Sequence, residues 1–318
     1  MMQSKLIYRF PHGAFKTLSG SFKLLEDVSN FEGFIVSNFE GNMVYGFVEG
    51  EFNEVEDNPE RDLPIVLCED AYLNLANEFI HYLQDHEVGK AILSRIKNVD
   101  FLGYSVEKLL DQMANAYPNT FCYLFEDPIL GTWLGATPET LVEIKNGEGK
   151  TMSLAGTKVS TDDQAWGEKE LEEQKMVTDF IHSTLLDTAM DVQLSERQEF
   201  VAGPVKHLVN YFQFKIDSTN QWNLIKALHP TPAVSGLPRD KALKCIYNFE
   251  PHDRKFYAGM IGEVSKNKTH LFVNLRCAEK VNDGLFLYVG GGLTQQSVAK
   301  DEWLETERKA QTILRFIK

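Results

Sequence analysis

The sequence has few cysteines and no clustered basic residues, and both absences exclude classes of protein. Its four cysteines, at positions 68, 122, 245 and 277 of 318, lie far apart and form neither a CxxC pair nor a metal-finger spacing. We therefore expect small buried thiols in a reducing compartment, without disulfides. The formal net charge is −14. Because nucleic-acid-binding surfaces are built from clustered Lys and Arg, we expect no nucleic-acid partner.

Long apolar runs are also missing. Nowhere do about 18 apolar residues follow one another, as a membrane-spanning helix requires. The amino-terminal segment lacks a basic region followed by an apolar stretch and a cleavage site. The sequence therefore predicts a cytoplasmic protein without a membrane partner. Apolar residues make up 43% and charged residues 25% of the chain, which is typical of a globular protein, and no repeat or low-complexity linker divides it.

Hydrophobic periodicity predicts both helices and strands. Helical periodicity occurs at about 71–85, 105–116, 167–190 and 298–316. Strands are predicted within residues 1 to about 70 and at 90–96, 121–126, 132–135, 141–145, 151–156, 256–264, 270–280 and 285–290. The clearest hairpin spans 271–289, with its turn at 282–284. Because the strands are grouped and do not alternate strictly with helices, the pattern favours an α+β fold with largely antiparallel sheets over a doubly wound parallel sheet.

Two predicted helices carry carboxylates beside an apolar stripe. Glu173 shares such a stripe in the helix that begins near residue 167, and Glu170 lies one turn earlier on the same side. Glu302, Glu305 and Lys309 flank the stripe of the last helix. Compensation of the helix dipole or a Glu–Lys pair would also explain such residues. Two helices with paired carboxylates would repel one another without a cation between them, and all-oxygen ligands favour Mg²⁺.

Three other features place polar groups in apolar surroundings. Lys90 opens a predicted strand, where burial would disfavour its charged form and allow it to act as a base; a lysine at a strand end can instead extend to solvent. Strand alternation places Asn274 and Arg276 on one face, where Arg276 could clamp a carboxylate or form a structural salt bridge. Residues 290–292 are three glycines after a strand, a place where backbone N–H groups could approach an anion.

Nine short motifs follow one another along the chain. They are VGKAILSR (88–95), GATPE (135–139), LAGT (154–157), VKHL (205–208), HPTPAVSG (229–236), FYAGMIG (256–262), NLRCAE (274–279), GGG (290–292) and EWLET (302–306) with Lys309. In this order they resemble the motif series of the chorismate-utilising enzymes, which include isochorismate, salicylate, anthranilate and aminodeoxychorismate synthases. The chain departs from that family at 169–174, which reads KELEEQ where many members have a Lys-Asp-Arg-x-Glu-His-like run.

The resemblance implies a layered α+β fold, with two large, mainly antiparallel sheets flanked by helices and a site for chorismate and Mg²⁺ between them. Residues 1–318 would form one domain, with a short divergent part at 1–85 and a motif-bearing catalytic part at 86–318. Glu173 and Glu305 are the implied metal ligands, with Glu170 and Glu302 beside them. The implied substrate contacts are Thr157, His207, Ala233, Tyr257, Arg276, the Gly290 backbone and Lys309. Related synthases also lead us to expect a monomer.

The resemblance further implies the reaction. Lys90 and Glu139 resemble the base and the acid that add water to ring carbon 2 of chorismate and remove the hydroxyl group from carbon 4. Family members that use ammonia usually lack the lysine, so Lys90 indicates water as the nucleophile and isochorismate as the product. Salicylate synthases, which also eliminate pyruvate, tend to carry Thr at the position of Ala233 and remain the alternative, as does an inactive binding protein on the same scaffold. The product could feed menaquinone or siderophore biosynthesis.

Overall fold

The computed structural model describes residues 3–52 and 61–317. The helices are α1 (Glu69–Asp85), α2 (Val106–Ala116), α3 (Glu168–Thr188), α4 (Gln221–Leu228), α5 (Arg239–Phe249) and α6 (Ala299–Leu314). Within the described residues, no helix combines the length and the apolar character that a membrane span requires.

Seventeen β-strands are present in the same residues. They are β1 (Ser4–Arg9), β2 (Lys16–Leu24), β3 (Gly33–Ser37), β4 (Val44–Glu49), β5 (Lys90–Asp100), β6 (Phe121–Asp127), β7 (Gly131–Thr137), β8 (Thr140–Lys145), β9 (Glu148–Val159), β10 (Met190–Leu194), β11 (Gln198–Ala202), β12 (Val205–Lys215), β13 (Gly236–Leu237), β14 (Met260–Val264), β15 (Lys268–Val273), β16 (Cys277–Val281) and β17 (Gly284–Leu293).

The four predicted helices are confirmed as α1, α2, α3 and α6, each with ends close to those expected. Local sequence explains some of these ends. For example, the Ser105 hydroxyl caps α2 by accepting a hydrogen bond from the Lys108 N–H at 3.3 Å. Sequence reasoning missed α4 and α5, which have 8 and 11 residues. Helix α4 has too few turns for its apolar period to stand out, and α5, although as long as α2, buries only Ala242, Cys245 and Ile246, whereas α2 buries five residues.

Two predicted strands differ from the structure. The strand expected at 256–264 begins only at Met260, because the preceding residues form a turn in which the Tyr257 N–H donates to the Arg254 carbonyl at 2.8 Å. The strand expected at 270–280 is wrong as a single element, since the chain breaks between β15 and β16 and Arg276 adopts a φ of +50°. Strand alternation therefore does not orient Arg276, and the tertiary contacts described below do.

The hairpin prediction is correct at its turn and wrong in its first strand. Val281 pairs with Gly284 where β16 turns into β17, so the turn lies at the predicted place. Residues 268–273 instead belong to β15, which pairs with β14 and β8.

All strand pairs are antiparallel, and they form two sheet halves that share an edge. One half has the order β13–β5–β17–β16–β7–β6–β1. The other has the order β2–β4–β3–β14–β15–β8–β9–β12, with β10 and β11 along the outer side of β12. Strand β2 joins them, because its first part pairs with β1 and its second with β4. These halves correspond to the two large sheets of the predicted α+β fold.

The two halves face one another across an aromatic core. The rings of Phe121 and Phe272 lie 4.6 Å apart, and those of Tyr8 and Phe34 lie 4.9 Å apart, in each case one from each half. Helices α1, α2, α5 and α6 cover the outer face of the first half, and α3 packs on β9 and β12 of the second. Strands β5 and β17 and helix α6 consequently meet α3 and β9 at one end of the core.

Candidate active site

A cleft opens where the two sheet halves, α3 and α6 meet. Its walls include Ile92, Glu139, Thr157, Glu173, His207, Ala233, Val234, Tyr257, Arg276, Gly290, Gly291, Gly292 and Lys309. These residues come from both sheet halves, two helices and the connecting loops. The structure therefore brings together, in one cleft, every predicted substrate contact, the predicted acid and one predicted metal ligand.

The three glycines at 290–292 let functional side chains lie directly against β17. A methyl group at each position would meet a cleft side chain: Tyr257 Oη at 2.9 Å from position 290, Glu302 Oε2 at 3.0 Å from position 291, and both Lys90 Cε and Glu173 Oε1 at 2.7 Å from position 292. Carbon atoms do not normally approach other atoms this closely. A larger residue would force these side-chain ends to shift, so glycine keeps the neighbours in place here, and none of the three has a positive φ.

The Gly290 backbone also faces the cleft. Among the described strands, β16 accompanies β17 only as far as Tyr288, so β17 has an open edge beyond that point. Ser94 lies opposite Gly290 but donates its N–H to Glu250 at 2.6 Å, away from β17. The peptide groups of Gly290 must then point to the open edge, where its carbonyl accepts a hydrogen bond from Lys309 Nζ at 2.7 Å. The Gly290 N–H is directed the same way, as its predicted role requires.

Helix α6 places two carboxylates of different character beside the cleft. Glu302 is almost fully buried, and its Oε1 accepts hydrogen bonds from Lys169 Nζ at 2.6 Å and Ser297 Oγ at 2.7 Å. Its Oε2 is buried and has no hydrogen-bond partner among the described residues. Burial, and then the charge of Glu305, raises the pKa of Glu302. Burial acts to raise the pKa of Glu305 as well. The charge of Lys309, whose Nζ lies 2.6 Å from Glu305 Oε1, outweighs burial and lowers that pKa.

Helix α3 places Glu173 against Lys90. The side chain of Lys90 is 1% exposed, and its Nζ lies 2.8 Å from Glu173 Oε1. The angle at which these two atoms approach is unsuited to a hydrogen bond. Lys90 Nζ therefore has an ion-pair contact but no hydrogen-bond partner within the described part of the chain. Lys90 does not itself line the cleft but lies behind Glu173 and Gly292. Glu170 is also outside the cleft wall, and its Oε2 is directed toward Gly167 at the start of α3.

Glu139 lies in the turn between β7 and β8 and is 4% exposed. Its carbonyl accepts a hydrogen bond from the Val273 N–H at 3.0 Å, which fixes the turn against β15. Burial raises the pKa of the Glu139 carboxyl to about 7, although Lys90, Lys309 and Arg276 act in the opposite direction. A substantial fraction of Glu139 is therefore protonated at neutral pH and able to donate a proton.

His207 and Arg276 form a hydrogen-bonded pair on the cleft wall. His207 Nδ1 lies 2.8 Å from the Gly156 carbonyl and 3.4 Å from Thr157 Oγ1, and its Nε2 lies 3.1 Å from an Arg276 guanidinium nitrogen. Burial, followed by the charge of Arg276, lowers the pKa of His207 to about 3. The imidazole is thus neutral, with Nδ1 donating to Gly156 and Nε2 accepting from Arg276. The second guanidinium end of Arg276 donates to Thr312 Oγ1 at 2.9 Å.

One functional contact was missed by sequence reasoning. Lys169, from the start of α3, bridges to Glu302 on α6 and so joins the two carboxylate-bearing helices. No local pattern indicates this contact, because 133 positions separate the two residues. Among the described residues, no group of three or more His, Cys, Asp or Glu side chains is assembled closely enough to hold a metal ion unaided.

Comparisons with known proteins identify the family. A family model described as "Chorismate binding enzyme" matches residues 52–318. Isochorismate synthase EntC of Escherichia coli (strain K12) is 30% identical over 249 residues, which are 72% of this chain and 62% of that protein. Isochorismate synthase DhbC of Bacillus subtilis is 32% identical over 198 residues, which are 58% of this chain and 50% of that protein. The chain thus spans between half and two thirds of the length of these relatives.

Solved structures share the fold. A putative 2,3-dihydroxybenzoate-specific isochorismate synthase, DhbC from Bacillus anthracis, superposes with a TM-score of 0.83 at 24% identity and covers 98% of this chain and 96% of its own. MenF, the menaquinone-specific isochorismate synthase from Escherichia coli, gives a TM-score of 0.84 at 19% identity. The superposition covers 99% of this chain and 89% of the MenF chain. At such identities the likeness establishes the fold alone.

Proposed function

Because the chain belongs to the family of chorismate-binding enzymes, we propose that it is an isochorismate synthase, a magnesium-dependent isomerase that interconverts chorismate and isochorismate. The observation that carries this proposal is the cleft that brings Glu139 together with Arg276 and Lys309, where burial raises the pKa of the Glu139 carboxyl to about 7. An acid of that strength is matched to neutral pH, where general acid catalysis works best. The relatives named isochorismate synthase support the same assignment.

In the proposed reaction, water forms a bond to ring carbon 2 while the hydroxyl group on carbon 4 leaves. Lys90 Nζ, which is buried and lies 2.8 Å from Glu173 Oε1, accepts the proton of the attacking water. Glu139 donates a proton to the departing hydroxyl, which leaves as water, and the ring double bonds shift between the two carbons. One water enters and one leaves, so atoms and charge balance. The reverse reaction uses the same two residues with exchanged roles.

The cleft cations would hold the two carboxylates of chorismate. Arg276 offers a rigid guanidinium that His207 and Thr312 already orient, and such a group binds carboxylates with paired hydrogen bonds. Lys309 and the Gly290 N–H lie together at the open edge of β17 and provide a second anion-binding position. Because His207 is neutral, it adds no charge to the cleft. Its role is to orient Arg276 and Thr157 through hydrogen bonds.

The carboxylates beside Gly291 fit a magnesium ion. Glu302 Oε2 is buried and unpartnered within the described residues, and a methyl group at position 291 would lie 3.0 Å from it and 3.7 Å from Glu305 Oε1. Mg²⁺ typically takes one or two protein carboxylates and completes its shell with substrate oxygens and water. As the resemblance implies, Glu173 and Glu305 would hold the ion, with Glu302 and Glu170 as its neighbours. Bound Mg²⁺ would neutralise a substrate carboxylate and stabilise charge in the transition state.

The choice among family reactions depends on two residues. Lys90 favours water over ammonia as the nucleophile, and Ala233, which lines the cleft, favours release of isochorismate without pyruvate elimination. A monomer stays an expectation from the related synthases. Location in the cytoplasm and the use of the product in menaquinone or siderophore biosynthesis stay predictions from the sequence and from the family resemblance.

The test is a product assay on the purified protein. Incubated with chorismate and Mg²⁺, it should form isochorismate, detected by liquid chromatography, at the same rate with and without ammonium. A chelator should abolish product formation, and excess Mg²⁺ should restore it. Salicylate with pyruvate would show the alternative reaction, amino-substituted products would refute the assignment of water, and chorismate binding without turnover would indicate an inactive binding protein.

A further inference from the structure

A buried ion pair lies behind the cleft wall without lining it. Arg254 and Glu250, at the end of α5, are joined by two short contacts, Nε to Oε2 at 2.7 Å and one terminal nitrogen to Oε1 at 2.6 Å. Both side chains are 3% exposed. Burial opposes ionisation of Glu250, but Arg254 outweighs it and lowers the pKa of that carboxyl. The pair is therefore charged, which makes its remaining hydrogen bonds strong ones.

The pair replaces a missing strand along β5. The two-residue strand β13 pairs only with Lys90 and Ala91, and the Ile92 N–H donates to the Ser235 carbonyl at 3.0 Å. The next two outward-facing groups of β5 are the Ile92 carbonyl and the Ser94 N–H. Arg254 donates to the first at 3.1 Å, and Glu250 accepts from the second at 2.6 Å. Two side chains thus continue the hydrogen-bond ladder where β13 ends.

The remaining bonds of Arg254 reach two other walls of the cleft. Its second terminal nitrogen donates to the Val234 carbonyl at 2.8 Å, beside Ala233. Its own carbonyl accepts from the Tyr257 N–H at 2.8 Å, and its guanidinium lies 4.2 Å from the ring of Phe39. One arginine therefore fixes the strand, the loop and the turn that carry separate cleft residues.

We infer that the Glu250–Arg254 pair is a positioning element for the substrate, which holds Ile92, Val234 and Tyr257 in register with Gly290 across β5. This inference rests on the proposed function, because it takes chorismate as the molecule held. The pair does not itself line the cleft but bonds to the Ile92 and Val234 carbonyls of its wall, so its effect is on where the substrate contacts lie. Loosening it should weaken substrate binding more than the chemical step, since those contacts are made in both ground and transition states.

The variants that test this are Arg254→Lys and Glu250→Gln. Lysine keeps the charge but cannot reach the Ile92 and Val234 carbonyls together, and glutamine keeps the shape but removes the charge. We expect the KM for chorismate to rise about tenfold or more in each, with a smaller change in kcat. Amide hydrogen exchange, measured without ligand, should become faster in peptides that contain residues 92–94, 234 and 257. Glu263→Gln is the matched control, because Glu263 also forms an ion pair, with Lys16, but does not line the cleft.

The control should lose stability while its KM stays at the wild-type value. A folded Arg254→Lys or Glu250→Gln protein with wild-type KM, or with unchanged exchange at these peptides, would overturn the inference. If neither variant folds, the wild type supplies the readout, because added chorismate should slow exchange at residues 92–94 and 254–258, and no slowing would overturn it. Absence of turnover in the wild type would refute the proposed function alone, since the ligand-free exchange comparison needs no activity.

Discussion

Replacing Glu139 with glutamine should remove activity and, above neutral pH, increase stability. Burial raises the pKa of Glu139 to about 7 in the folded protein, whereas the ordinary glutamate pKa, which applies to an unfolded chain, is 4.5. Between those values the folded protein holds a proton that the unfolded chain has released. A group whose pKa is raised by folding contributes stability at low pH, and that contribution is lost as the pH rises through about 7.

The expected magnitude follows from the difference between the two pKa values. From the ordinary glutamate value of 4.5 to about 7, a difference of roughly 2.5, the change corresponds to about 3 kcal/mol of unfolding free energy. The wild type should therefore lose up to about 3 kcal/mol between pH 4 and pH 8 through this one group. Glutamine does not titrate, so Glu139→Gln should escape this loss. Relative to the wild type, the variant should gain about 3 kcal/mol over the same interval, while its turnover of chorismate falls at least about 100-fold because the acid is gone.

Urea unfolding followed by tryptophan fluorescence, at several pH values from 5 to 8.5, measures this difference directly. Glu196→Gln serves as the control, because Glu196 is exposed, and it should keep the pH dependence of the wild type. If the stability difference between wild type and Glu139→Gln did not change with pH, the raised pKa of Glu139 would be refuted. If the variant kept normal turnover, the residue would not be the acid.

Three further outcomes are expected. Lys90→Ala should lower kcat by at least about 100-fold, because the base is lost, while calorimetry still detects chorismate binding; near-normal kcat would remove Lys90 from the mechanism. Gly292→Ala should also reduce turnover strongly in steady-state assays, since its methyl group would lie 2.7 Å from Glu173 Oε1 and Lys90 Cε, and unchanged kinetics would contradict the observed packing. Ala233→Thr should produce measurable salicylate in a chromatographic product assay, and isochorismate alone would show that this position does not decide the outcome.

Local sequence determined the elements that have a strong local signal. Helices α1, α2, α3 and α6 each repeat their apolar residues over three or more turns, which is enough to identify them. The turn between β16 and β17 carries Asn-Asp-Gly, whose backbone preferences fix it regardless of the partner strands. The order of the nine motifs likewise pointed to the family, because a series in fixed order carries information that no single motif has.

Structural features that depend on residues distant in the sequence were predicted wrongly or were missed. Strand alternation failed at Arg276, where the backbone leaves the extended region and hydrogen bonds to His207 and Thr312 orient the side chain. The short helix α4 and the weakly apolar helix α5 are held by packing, and their sequences alone do not specify them.

The sequence by itself determined which kinds of residue the cleft contains, because the acid, the lysine, the arginine and the glycines stand in recognisable motifs. Only the tertiary structure decided their states. The pKa of Glu139 is raised because the fold buries it, Glu302 keeps one oxygen without a partner in the described residues because Lys169 and Ser297 occupy the other, and β5 bonds to the buried Glu250–Arg254 pair. Burial and pairing are set by atoms far apart in the chain, so no local pattern encodes them.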